Sequence, residues 1–532
     1  MSKNYFTPLL LATAMLSGCD NSGVSSDSES VSGGSEGVPS TAIHYEATKE
    51  SLDQHQLPQW WADAKFGIFI HWGLYSVPAY APTGYPGIPP GIAAPPGCSP
   101  YAEWYWFVQQ APICLTWSKH LQNQGAGFVY DDFIPQWKAD SFDPDAWIKL
   151  FEQAGAKYFV LTTKHHDGFA LWPTRTTQRN AMDMGPKRDL VGELFAAAHR
   201  ADDRVKPGLY FSIPEWYNPA PKPLDAYLPT DLSVDSALAT FGTIFGPLSI
   251  YGPRNAYTQL PVPYTGQGTV RDYASDIVRP QFEELINDYK PSIIWCDIGG
   301  RESYFKSNQS IANFYNNAKT THPEGVVVND RCGEKSKTHL DFNTVEFGAG
   351  SPIPPFEATR GIGESFGFNM EEEKSNHYLS ASELIHTLVS TVAQGGNLLL
   401  DIGPKADGSI PDSMTTRLQA IGAWLGINGK SIYGSTQWTQ SSDGGSNYFT
   451  VGKDGALYII ATEWPSAQTL TVNASVPLTA SSKIVLLGSD GTPLQYKQNG
   501  SQLVITLPSG GAQMAATKSQ SAFVFRVSPV AL

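Results

Sequence analysis

The chain has 532 residues, with 36 Lys and Arg against 50 Asp and Glu and a formal net charge of −14. That length supports two or three domains with sizeable cores, and the acidic balance argues against nucleic acid as a partner, because phosphate binding needs clustered cations. Aromatic residues make up 12% of the chain, which suits sugar stacking and large cores equally well.

Lys3 and an apolar run from Pro8 to Leu16 lead into Leu16-Ser17-Gly18-Cys19. This reads as a lipoprotein signal peptide over residues 1–18, with the thiol of Cys19 as the lipid acceptor. Residues 19–45 are rich in Ser, Gly, Asp and Glu, the composition of a disordered tether. The expectation is an exported protein held on a bacterial membrane only through its lipid and facing the periplasm; Asp20 leaves inner and outer membrane both open.

From residue 46 to about 432, short apolar runs alternate with helical periods. The runs at 66–72, 157–163, 207–213, 292–297, 325–329 and 397–402 are rich in β-branched and aromatic residues, as strands buried on both faces are. Helical periodicity occupies 143–154, 272–289, 308–318, 382–394 and 412–427. The alternation predicts an α/β fold, a (β/α)8-type barrel forming a catalytic domain over 46–432. A Pro- and Gly-rich insertion at about 78–138 is too long for an idle connection and is placed to wall a pocket; a second long loop covers 214–268. Export permits disulfides, and an insertion with little core of its own needs one, so Cys98 and Cys114 are expected to pair. Cys296 and Cys332 read as buried free thiols. Over 433–532 the segments 447–462, 468–474, 483–487, 503–507 and 522–527 alternate between turns. They predict a C-terminal antiparallel β-sandwich, read as a packing domain that covers the barrel, with sugar binding as its alternative role.

Polar residues gather where the strand runs end: His71; then Lys164, His165, His166 and Asp167; then Asp297; then Asn329, Asp330 and Arg331. A barrel brings such ends together at one mouth. Cleaving a glycosidic bond requires two carboxyls there. Asp297 ends an apolar run and precedes Ile298-Gly299-Gly300, so a strand terminus fixes it and it is the nucleophile candidate. Glu346 lies between Val345 and Phe347, an apolar setting that raises a carboxyl pKa as an acid/base requires. Asp341, Glu357 and Glu364 compete with it, and spacing alone does not choose. Neighbouring His165 and His166 on an extended segment point in opposite directions, so they are read as partners for sugar hydroxyls rather than as ligands of one metal. Glu103 and Trp104 pair a charged acceptor with an aromatic wall, a combination sugar pockets use.

In order along the chain, these segments resemble glycoside hydrolase family 29, the α-L-fucosidases. The resemblance runs through Ala64-Lys65-Phe66-Gly67-Ile68-Phe69-Ile70-His71-Trp72-Gly73, Glu103-Trp104-Tyr105, and Thr163-Lys164-His165-His166-Asp167-Gly168-Phe169. It continues through Trp295 with Asp297, Asn329-Asp330-Arg331, Thr344 with Glu346, Ser365-Phe366-Gly367, and Gly395-Gly396-Asn397-Leu398-Leu399-Leu400. It implies a retaining exo-acting enzyme for terminal α-L-fucose on fucosylated oligosaccharides or polysaccharides, with Asp297 as nucleophile, Glu346 as acid/base and no metal or organic cofactor. It also implies sugar contacts from His71, Glu103, Trp104, His165, His166, Tyr210 and Arg331, and a wall of Phe69, Trp295 and Phe366 around the C5 methyl. The family's usual Asp-Gly reads Asp297-Ile298 here. Alternatives are an α-L-galactosidase on the same scaffold, a non-catalytic carbohydrate-binding protein and a metallohydrolase.

Overall fold

The structure, a computed structural model, describes residues 43–84, 98–223, 252–348, 353–508 and 521–531; the expected signal peptide, Cys19 and most of the expected tether lie outside them. No helix among the described residues is long and apolar enough to cross a membrane.

Eight parallel strands form one curled sheet: β1 (Phe66–Ile70), β2 (Tyr158–Lys164), β3 (Lys206–Ser212), β4 (Ile293–Asp297), β5 (Val327–Val328), β6 (Asn343–Glu346), β7 (Phe356–Gly361) and β8 (Asn397–Ile402). Their order, β5-β4-β3-β2-β1-β8-β7-β6, is the cyclic order of a (β/α)8 barrel opened at one point. Both faces are buried. Along β1, Phe66, Ile68 and Ile70 join the core shared with the helices, whereas Phe69 joins an interior cluster with Tyr158, Tyr210, Ile293, Trp295 and Phe342. Gly67 lies against that interior, where a Cβ would sit 2.5 Å from the Tyr158 ring carbon bearing the hydroxyl; the missing side chain lets that ring fill the barrel.

The opening lies between β5 and β6, which are joined by one bridge, Asn329 to Phe342. Asp341 reinforces it: its N–H donates to Val328 O at 2.9 Å, and its Oδ2 accepts from Val328 N–H at 2.8 Å and Tyr315 OH at 2.7 Å. His55 Nδ1 and His339 Nε2 approach its Oδ1 at 2.8 and 3.2 Å. Neither β6 nor β7 was expected from the sequence. The side chains of β6 are half-buried and those of β7 mix polar with apolar, so neither shows an apolar run. Among the described residues no helix separates β5 from β6 or β6 from β7.

The helices carry local start and stop signals. Helix Pro144–Ala154 begins where Asp143 accepts from Ala146 N–H and ends at Gly155, φ 83°. Helix Ala381–Ala393 begins with a reciprocal capping box between Ser380 and Glu383. After helix Asp412–Asn428 the chain becomes all-β, with a five-stranded and a three-stranded antiparallel sheet facing each other across a shared apolar core. This sandwich packs on the barrel's helices: Trp424 Nε1 donates to Ala522 O at 2.8 Å, and His386 Nε2 lies 2.7 Å from Ser521 O.

Two disulfides are present. Cys98 is bonded to Cys114 within the insertion, Cα atoms 5.2 Å apart. Cys296 is bonded to Cys332, Cα atoms 4.8 Å apart, which corrects the expectation of free thiols. The reason is register: Ile294 lies opposite Val328, so the exits of β4 and β5 run side by side and carry the two cysteines together.

Candidate active site

The strand ends bring His71, His165, His166, Asp297 and Arg331 to one mouth, whereas Lys164 is buried against Glu215 and Gln281, Asp167 against Tyr130, and Asn329 on the Cys296 backbone. Asp297, the last residue of β4, is held from several directions. Tyr210 OH on β3 donates to Oδ2 at 2.8 Å, Arg331 Nη1 donates to Oδ1 at 3.1 Å, and Ile298 N–H donates to Oδ1 at 3.0 Å. His166 Nε2 stands 3.4 Å from Oδ2. Burial would raise this carboxyl's pKa, but His166, Arg331 and Tyr210 outweigh it and hold Asp297 well below the usual carboxylate range. Ile298, which stands where the family's glycine was expected, adopts φ 45°, a left-handed conformation that glycine accepts more easily; the turn it makes aims its amide at the carboxylate.

Glu346 ends β6 on the other side of Arg331. The same Nη1 that donates to Asp297 also donates to Glu346 Oε1, and Arg331 Nε donates to Thr344 Oγ1 at 2.7 Å. Two hydrogen bonds sharing one nitrogen place their acceptors no more than about 6 Å apart. That is the spacing of a double-displacement pair; an inverting pair needs more room for a water. The competing carboxyls lie elsewhere. Asp341 is at the β5–β6 opening. Glu357 is inside the barrel, accepting from Tyr158 OH at 2.5 Å and Trp295 Nε1 at 2.9 Å. Glu364 faces His377 Nε2 at 3.1 Å.

The remaining expected groups surround this pair. Phe69 packs on Trp295 at 5.0 Å and on His71 at 4.6 Å, and Phe366 covers His71 at 5.0 Å. The Arg331 guanidinium lies 5.1 Å above the Trp295 ring. His165 stacks with Tyr210 at 5.8 Å. Its Nδ1 is buried and without a partner among the described residues. His166 Nδ1 faces Pro214 O at 2.9 Å, and because a carbonyl only accepts, Nδ1 donates there. Glu103 is buried and its Oε2 accepts from Gly367 N–H at 2.8 Å and Ser365 Oγ at 3.3 Å. Burial pushes it up to about 7, with the Glu346 charge adding to the effect.

Three groups here escaped the sequence reading. Trp216 packs between Trp104 at 5.4 Å and His166 at 5.4 Å; the aromatic content of the 214–268 loop was its signal. Tyr101 stacks on Phe347, ring centres 6.1 Å apart, beside Phe366. Asp401, on β8, holds His71 Nδ1 at 2.6 Å. Among the described residues, the His, Cys, Asp and Glu side chains close enough to share an ion are His55, His339 and Asp341, outside this pocket.

A curled eight-stranded α/β sheet with two close carboxylates and an aromatic pocket at its strand ends defines the class of glycoside hydrolases. Comparison with known proteins narrows the class. The α-L-fucosidase family model matches residues 35–430, and the α-L-fucosidase C-terminal domain model matches residues 443–528. The chain is 34% identical over 476 residues to tissue alpha-L-fucosidase of Rattus norvegicus, covering 87% of this chain and 89% of the relative. It is 34% identical over 435 residues to alpha-L-fucosidase of Dictyostelium discoideum, covering 79% and 81%. The crystal structure of Thermotoga maritima alpha-fucosidase superposes with a TM-score of 0.70 at 34% identity, over 91% of this chain and 100% of that one. The chain belongs to the α-L-fucosidase family.

Proposed function

We propose that this protein removes terminal α-L-fucosyl residues from fucosylated glycans by double displacement, with Asp297 as nucleophile and Glu346 as acid/base. The observation that carries the reading is the carboxylate pair sharing one Arg331 nitrogen at the mouth of the barrel. Asp297, held ionised by its donors, attacks the anomeric carbon while Glu346 protonates the leaving oxygen; Glu346 then deprotonates the water that releases fucose. The wall of Phe69, Trp295 and Phe366 supports a 6-deoxy sugar, because a C5 methyl gains there what a C6 hydroxyl would lose.

Asp297→Ala is expected to lower kcat/KM on an aryl α-L-fucoside by about 10⁴-fold or more with the fold intact. Turnover within tenfold of wild type would reject the nucleophile. Glu346→Ala should slow poor leaving groups more than activated ones. An aryl α-L-galactoside hydrolysed faster than the fucoside would favour the α-L-galactosidase reading, and sugar binding without release of reducing sugar would favour a binding protein.

The leader ending in Leu16-Ser17-Gly18-Cys19 supports export and lipid anchoring in a bacterial envelope, with the enzyme facing the periplasm. Labelled fatty acid should enter the wild-type protein and not Cys19→Ala; equal labelling of both would reject the anchor.

A further inference from the structure

His71 sits among the pocket's rings, and one edge of it is committed. Its Nδ1 lies 2.6 Å from Asp401 Oδ1, which leaves Nε2 as the ring nitrogen that can meet the sugar. Which proton sits between Asp401 and Nδ1 decides what Nε2 offers. If Asp401 is ionised, Nδ1 carries the proton and Nε2 is an acceptor. If Asp401 is protonated, its hydroxyl donates to Nδ1 and Nε2–H is a donor.

The surroundings of Asp401 distinguish the two. Its side chain is fully buried, and its second oxygen, Oδ2, has no hydrogen-bond partner among the described residues. An ionised carboxylate with a bare buried oxygen carries a severe desolvation cost, whereas a neutral acid leaves only a carbonyl unpaired. Among the described residues no cation relieves it. The neighbouring strands place Phe69 and uncharged Gly361 opposite Asp401. The titratable groups acting on the pair include Tyr75 and the acidic Glu103 beside Asp401, and Asp297, His165 and His166 beside His71. Burial, with the Glu103 charge adding, raises the Asp401 pKa well above the usual carboxylate range, and burial lowers His71 to about 3.

We propose that Asp401 is a positioning residue that works as a neutral acid: its hydroxyl donates to His71 Nδ1 and fixes the tautomer in which His71 offers Nε2–H to an oxygen of the bound sugar. This rests on the pocket's being the sugar site.

The test is the pair Asp401→Asn and Asp401→Leu. An asparagine amide donates to Nδ1 as a protonated acid does, so Asp401→Asn is expected within about threefold of wild-type kcat/KM. Asp401→Leu, similar in size but with no donor, should fall about 10- to 100-fold, mostly through KM. An ionised aspartate behaves oppositely: its replacement by Asn inverts the imidazole tautomer, and the loss approaches 10⁴-fold in a serine-protease triad. A folded Asp401→Asn that loses about 10²-fold or more overturns the proposal. The infrared difference spectrum, wild type minus Asp401→Asn, needs no turnover. A protonated-carboxyl C=O band present near neutral pH supports the proposal, and a carboxylate band in its place overturns it, even if the substrate is not a fucoside.

Discussion

At the opening between β5 and β6, Asp341 takes four donors: His55, His339, Tyr315 OH and Val328 N–H. At the mouth, the Asp401 carboxyl meets a single side chain, that of His71. Burial does not separate them, since their side chains are 1% and 0% exposed. Yet the histidine bonds and charges pull Asp341 down to about 2 against its burial, while burial drives Asp401 far up. Glu357 falls between: two neutral donors, Tyr158 and Trp295, leave it at about 7. The series teaches that the number and charge of the donors, not depth, set a buried carboxyl's state. Where the carboxylate must stay charged it is saturated and closes the barrel. Where it stays neutral it can dictate the tautomer of a neighbouring ring.

The comparison breaks first at Asp341. Asp341→Ala leaves Tyr315 OH, Val328 N–H and two imidazoles facing an unfilled acceptor site, and should cost up to about 5 kcal/mol in urea unfolding. A loss below about 1 kcal/mol would mean that the network adds nothing to the fold. Acid titration sharpens the same point. The folded value near 2 lies below the ordinary 3.8, so the contribution of Asp341 is present above that value and is lost as pH falls through about 2. Between those limits the wild type should lose about 2 kcal/mol that Asp341→Asn does not. His339 runs the other way: its pKa is raised, because contact with Asp341 and Asp53 overcomes burial, so its share is present in acid and fades on the alkaline side.

Much of this was legible in sequence, and the exceptions share one cause. Strands β1 to β4 and β8 announce themselves because burial on both faces demands unbroken apolar runs. Asp297 and His71 follow, since a polar residue ending such a run can only stand at the mouth. Strands β6 and β7 carry no apolar run; they are strands because β8 and the barrel's curl hold them there. That Glu346, and not Asp341 or Glu357, shares Arg331 with Asp297 needed the tertiary fold, and the Cys296–Cys332 bond needed the β4–β5 register. Asp401 was visible inside an apolar run, but not the direction it faces, which depends on pairing with Phe69 across the sheet.

Glu103 tests the comparison at its smallest effect. Its donors, Gly367 N–H, Ser365 Oγ and its own backbone N–H, are all neutral, and burial pushes it up to about 7. Its raised pKa costs stability as pH rises from the ordinary 4.5 through about 7. Over the same interval, ionisation makes its carboxylate an acceptor-only group beside the sugar site. A sugar hydroxyl that donates to a charged acceptor gains more than one donating to a neutral acid, by a factor of about ten. The ratio of wild-type to Glu103→Gln kcat/KM should therefore climb about tenfold between about pH 5 and about pH 9. Dividing by the variant removes the pH effects that the two proteins share. A ratio that stays flat, with the variant stably folded, would mean that Glu103 keeps one protonation state throughout that interval.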